Sequence, residues 1–239
     1  MPPRGLTRPI LTRQEARDLY NRPDARRDGH PLYARPAIDR LVEQGDFSTA
    51  AAVVEFGCGT GALAQRLMEQ ALPIYAGYSG FDLSDQMVQL TRQRLVRFGA
   101  RVSVTRTDGR PRVPLPPRSC DRFVSTYVLD LLSSQDIAKL LGQAWTVLRP
   151  GGLLCLASLT YGTTAVSRLV IRVWQHFHAT RPAMVGGCRP ISISSYLGPA
   201  SWKTLYSTTL ISRGVPSEVL IARPRVHAES ATAAIGPPR

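Results

Sequence analysis

The sequence predicts an α/β fold: one seven-stranded mixed sheet with helices on both faces and an antiparallel last strand. Three observations carry that prediction. Short apolar runs alternate with stretches of helical periodicity, the order expected when parallel strands are joined by crossover helices. One run, Val53-Val54-Glu55-Phe56, breaks into Gly57, Gly59 and Gly61 before a helical pattern resumes, which reads as strand, tight turn, helix. The final two runs, 202–212 and 218–222, are joined by Gly-Val-Pro with no helix between them and so form a hairpin at the sheet edge. A chain of 239 residues fits a single elaborated domain of this kind.

The elements follow in order. Residues 1–11 carry three prolines and no periodicity, so a loosely held start is expected. Thr12-Arg13-Gln14-Glu15 has capping-box spacing and opens a short helix to Tyr20. Pro36 and Gly45 bracket a second helix over 37–43. After the glycine turn a helix over 62–69 carries Leu63, Leu67 and Met68 on one face. The strand 77–82 leads to a helix over 85–97, for which Ser84 is a well-placed cap, and then to a short strand at 102–104. A Pro-rich loop, 110–118, precedes the strand 121–126. Ser134 is the expected cap of the helix 135–148, which Pro150-Gly151-Gly152 stops before the continuous apolar strand 153–159.

The clearest periodicity lies next. Val166, Leu169, Val170, Val173, Trp174 and Phe177 recur at helical spacing, which predicts an amphipathic helix with this stripe packed into the core. The expected organisation is an N-terminal helical cap over 1–45, a main domain over 46–225 with a helical substrate insertion at 165–190, and a disordered tail over 226–239.

Composition narrows the function classes. No N-terminal apolar segment and no run near ~18 apolar residues is present, so a soluble cytoplasmic protein without a membrane partner is expected. Cys58, Cys120, Cys155 and Cys188 are scattered without ligand spacing, which predicts small buried thiols and no metal site. The net charge of +13 permits a nucleic-acid partner, but all but two of the thirty basic residues are Arg spread along the whole chain, which does not favour one. The sequence leaves the oligomeric state open.

The glycine turn is the first chemical signal. Its spacing is G-x-G-x-G, which satisfies neither the dinucleotide fingerprint nor the phosphate-binding loop. Glu55, at the end of the strand, would repel a pyrophosphate and attract an ammonium or sulfonium. Asp82 ends the next strand at about the ~20-residue distance where an acid meets ribose hydroxyls. An adenosine with a positively charged amino-acid tail suits both acids.

On these residues the sequence resembles the class I S-adenosylmethionine-dependent methyltransferases, whose first motif is an acid followed by G-x-G-x-G, here Glu55 to Gly61. The resemblance extends through Gly80-Phe81-Asp82-Leu83-Ser84, Thr107-Asp108, Cys120 to Val124 and Leu148 to Gly152, covering roughly residues 50 to 160. It implies a Rossmann-like fold and S-adenosyl-L-methionine as cofactor. It also implies that Glu55 and the backbone of Gly57, Cys58, Gly59 and Gly61 hold the amino-acid end, Asp82 the ribose and Leu83 the base, with Asp108 on the adenine amino group. Met87, Gly109 and Thr126 complete the expected cofactor contacts; a Met at helical spacing, such as Met87, is more often a core residue, and Gly109 stands where the family usually has an apolar residue. The N-terminal region of the family closes over the cofactor, which makes Tyr20, His30 and Tyr33 candidates for contact.

The chemistry implied is methyl transfer to a small-molecule acceptor by in-line displacement. Alignment supplies much of the catalysis, and a base is needed only for a protonated acceptor. Tyr127, Asp130 and His178 are the candidate catalytic residues, with His30 a further one, and the loop 184–190 is expected to touch substrate. An RNA or protein methyltransferase is the alternative reading, carried by the net charge. A dinucleotide oxidoreductase and a catalytically silent cofactor binder are the remaining alternatives.

Overall fold

The structure, a computed structural model, describes residues 10–22 and 32–225. The expected start at 1–9, His30 and the expected tail at 226–239 lie outside them. Seven strands form one sheet in the order β3-β2-β1-β4-β5-β7-β6. They are β1 (Ala52–Phe56), β2 (Gly77–Asp82), β3 (Val102–Arg106), β4 (Cys120–Thr126), β5 (Leu148–Leu159), β6 (Trp202–Ser212) and β7 (Val215–Pro224). The strands β3, β2, β1, β4 and β5 are parallel, while β7 runs antiparallel between β5 and β6. This is the mixed, Rossmann-like sheet the sequence predicts, and the order of strand addition reverses between β1 and β4, where open α/β sheets place their ligands.

Six α-helices accompany it: α1 (Arg13–Tyr20), α2 (Arg35–Gln44), α3 (Ala62–Arg66), α4 (Asp85–Leu95), α5 (Ser134–Val147) and α6 (Ala165–Thr180). The capping box at Thr12 and Glu15 forms, and Ser84 Oγ accepts the Met87 amide at 3.2 Å. The α5 cap is Ser133 and not Ser134: its side chain accepts the Asp136 amide at 3.1 Å, which starts the helix one residue early.

Alternation along β1 divides the core. Val53 packs with Leu41, Leu63, Leu67 and Val88 on the face of α2, α3 and α4, whereas Val54 and Phe56 pack with Ile137, Leu140 and Leu141 on the face of α5. Each large side chain buried by α5 contributes about 1.5–3 kcal/mol relative to an exposed one. All four thiols are free and buried, as their scatter among strands suggests.

The α6 stripe does not pack as expected. Ser167, Ile171 and His178 face inward, with Trp174 half-buried beside them, while Val166, Leu169, Val173 and Phe177 are exposed. The helix is therefore rotated by about a quarter turn from its apolar direction. Specific contacts hold it there. The Gly162 backbone lies so close to Ser167 that a Cβ on Gly162 would sit 2.4 Å from it. Trp174 Nε1 donates to the Cys188 carbonyl at 2.8 Å, and His178 Nε2 lies 3.2 Å from the Gly187 carbonyl.

Candidate active site

The glycine turn is strained in the way only glycine tolerates. Gly57, Gly59 and Gly61 have φ of 79°, 53° and 77°. A Cβ on Gly57 would sit 2.2 Å from Val128 Cγ2, and one on Gly61 would meet Thr91 at 2.8 Å, whereas nothing lies within 4 Å of one on Gly59. Gly57 and Gly61 thus let the turn pack down, and Gly59 faces open space. That space is a cavity of about 1000 Å³ at the carboxyl ends of β1, β2 and β4.

One end of the cavity is polar. Asp82 reaches it, with its carboxylate accepting the Gly59 amide at 2.8 Å and the Ser84 amide at 2.9 Å. Burial raises its pKa against the lowering effect of those two amides. Leu83, Met87, Cys58, Gly59, Gly109 and Thr126 also lie on the wall. Thr126 Oγ1 is buried without a partner among the described residues, an arrangement that a bound polar group would relieve.

The other end is aromatic. Tyr20, Tyr33, Tyr127 and Trp174 line it, with Tyr33 edge-on to both Tyr127 and Trp174 at 6.0 and 5.9 Å. Tyr127 has a φ of 55°, and its hydroxyl donates to Ser217 Oγ at 2.7 Å. Burial raises the phenol pKa above its ordinary value.

Leu11 and the helix α1, through Arg13, Ala16 and Tyr20, cover the cavity. Polar contacts seat the helix: Arg17 pairs with Asp85 at 2.7 Å, Arg13 reaches Asp136 at 3.4 Å, and Tyr20 Oη donates to the Gly186 carbonyl at 3.0 Å. The sequence signals α1 through its cap but not its docking partners, which lie 68 to 166 residues away. Of the expected substrate loop, Met184, Val185, Gly186 and Cys188 reach the wall.

Several candidates lie off the wall. Glu55 points under the turn to the α3 side, accepting the Tyr78 hydroxyl at 2.6 Å, and burial pushes its carboxyl up to about 8. Gly61 serves the turn and not the wall. Asp108 is exposed and turns back to accept the Arg110 amide at 2.9 Å, which with the Arg110 guanidinium lowers its pKa. Its neighbours Thr107 and Gly109 line the cavity, whereas Asp108 does not. Asp130 is fully buried behind the wall, where one oxygen accepts the Leu159 amide at 3.3 Å and burial pushes its pKa up to about 6. His178 is buried against Gly187, likewise off the wall. Of the three catalytic candidates, only Tyr127 is brought to the cavity.

Comparison with known proteins agrees with this architecture. Residues 53–152 match a family described as a methyltransferase domain. An uncharacterized methyltransferase of Anoxybacillus flavithermus (strain DSM 21510 / WK1) is 34% identical over 110 residues, which are 46% of this chain and 47% of the relative. The chain thus spans about half the length of the curated relatives it matches. Among solved structures, the [4+2]-cyclase SpnF superposes with a TM-score of 0.68 at 16% identity, over 92% of this chain and 99% of that one. The mitomycin 7-O-methyltransferase MmcR gives 0.60 at 20% identity, over 80% of this chain and 54% of that one. At such identities the structural likeness speaks for the fold.

Proposed function

We propose that the protein transfers a methyl group to a small, largely apolar acceptor, a reading supported by the match of residues 53–152 to a methyltransferase-domain family and by the class I-like fold. The domain and fold imply S-adenosyl-L-methionine as the methyl donor. When bound, it supplies a methyl group already activated on a sulfonium.

The single observation that carries the reading is one cavity with two chemically different ends. At the polar end, Asp82 takes a ribose diol while the Gly59 backbone leaves room for the amino-acid portion. Leu83 and Met87 offer apolar surface to the base, and the lone hydroxyl of Thr126 offers a polar partner. Glu55 supports the turn from beneath, through its bond to Tyr78, without touching the ligand. At the other end, Tyr20, Tyr33, Tyr127 and Trp174 give an apolar acceptor flat surfaces and phenol hydroxyls at the rim of the reaction. The helix α1 covers part of the cavity and narrows its access to solvent.

A wall of this kind holds an acceptor in line with the methyl carbon, and that positioning supplies much of the rate. Tyr127 is the residue best placed to orient the acceptor atom, since its hydroxyl is fixed by Ser217. The enclosure by α1 supports a small molecule over an RNA or protein acceptor. A cytoplasmic location is part of the reading and agrees with four unpaired buried thiols. Tritiated-methyl transfer into a fractionated lysate tests it. Label in small molecules supports the reading, and label confined to RNA or protein overturns it.

A further inference from the structure

The exposed face of α6 is an apolar ridge flanked by arginines. Val166, Leu169, Val173 and Phe177 are 39% to 66% exposed and follow one another along three turns. Met184, 62% exposed just beyond the helix, is also part of the cavity wall, so the ridge runs to the mouth of the site. The turn between β6 and β7 packs beside it, since a Cβ on Gly214 would meet Val170 and Val166, and this brings exposed Arg213 and Ile211 to the same side. Arg168, Arg172 and Arg181 are exposed along the helix and at its end. From residue 137 to residue 217 the sequence contains no Asp or Glu at all.

A stripe of aliphatic and aromatic side chains flanked by arginines is the pattern of a helix that lies in a membrane interface, with the apolar groups in the acyl boundary and the cations at anionic headgroups. We propose that the outer face of α6 docks this protein onto an anionic lipid surface, with the cavity mouth turned toward that surface. The attachment is peripheral, because no helix among the described residues is long and apolar enough to cross a membrane. It does not depend on the reaction proposed above.

Other occupants suit this face less well. A second copy would bring two faces bearing Arg168 and Arg172 together, and like charges repel. The segment 23–31, Pro-Asp-Ala-Arg-Arg-Asp-Gly-His-Pro, has no large apolar side chain to cover the ridge. A folded acidic protein would need a groove matched to a convex helix, whereas a lipid surface deforms to accept it.

Co-sedimentation with vesicles of phosphatidylcholine and phosphatidylglycerol, against phosphatidylcholine alone, is the test. The expected result is binding to the anionic vesicles that weakens with salt. The double variants Leu169→Asp/Val173→Asp and Arg168→Glu/Arg172→Glu should each weaken it on the order of tenfold. These side chains are exposed, and circular dichroism melts establish that the variants fold. Absence of binding to anionic vesicles, or binding unchanged in the folded variants, overturns the proposal. A dimer that the same substitutions dissociate, without vesicle binding, overturns it in favour of a second copy. Retention on immobilised polyglutamate without vesicle binding overturns it in favour of an acidic protein.

Discussion

The Tyr78 hydroxyl donates to the Glu55 carboxylate at 2.6 Å, beneath the glycine turn and away from the cavity. Burial outweighs that hydrogen bond and lifts the Glu55 pKa to about 8. The folded value lies above the unfolded one, so this group's contribution to stability is complete below about pH 4 and is lost as pH rises through about 8. Glu55→Gln cannot ionise. Relative to this variant, the parent protein should lose on the order of 3 kcal/mol between about pH 5 and about pH 9, read from denaturant unfolding at each pH.

Asp82 holds the Gly59 amide and reaches the cavity, so its removal affects both the turn and the ligand. Asp82→Ala should abolish calorimetric S-adenosylmethionine binding while circular dichroism reports a folded chain. Asp82→Asn keeps an oxygen acceptor for the amide and should still weaken binding by at least about tenfold through loss of the charge. Unchanged affinity in either folded variant would remove Asp82 from the cofactor site.

Gly57 and Gly59 share a left-handed backbone but differ in surroundings. Gly57→Ala adds a clash with Val128 to the backbone strain and should cost at least ~3 kcal/mol or prevent folding. Gly59→Ala meets no atom within 4 Å and should cost only ~1 kcal/mol, yet it places a methyl in the cavity and should weaken cofactor binding. A thermal melt and a binding isotherm on each variant separate the two effects.

Tyr127 is on the wall and Asp130 is behind it. Tyr127→Phe should lower turnover by about tenfold through lost positioning, with a smaller change in stability. Asp130→Asn should leave turnover within about threefold of the parent, since the carboxyl does not meet the acceptor. The folded pKa of Asp130 is raised to about 6, so its stabilisation is complete below about pH 4 and is lost as pH rises through about 6. The Asn variant should lack that loss. A tenfold drop in turnover for Asp130→Asn would instead make Asp130 part of the reaction.

The sheet and its glycine turn were legible because they rest on local signals: three glycines where side chains would clash or face a ligand, and apolar runs whose length and bounding turns mark strands. Asp82 was legible for the same reason, as the terminal residue of β2. Asp108 also follows a strand, but Gly109 has a φ of 76° and the backbone there lets the carboxylate return to its own loop. Periodicity ranks the faces of α6 by hydrophobicity and cannot weigh the single polar bonds of Trp174 and His178 or the close approach at Gly162, which fix its rotation. The seat of α1 rests on arginine pairs with residues far along the chain, for which local sequence carries no signal.

The position of β7 between β5 and β6 ties the site to the order of synthesis. Ser217, which fixes the Tyr127 hydroxyl, and Glu218, which accepts the amides of Ile193 and Ser194, both belong to this strand. Until it has emerged from the ribosome, β5 keeps an open edge and the aromatic end lacks its anchor. The cofactor end, built from β1, β2 and β4, is translated well before that point. A nascent chain would therefore acquire its donor half first and become competent only when the hairpin threads into place.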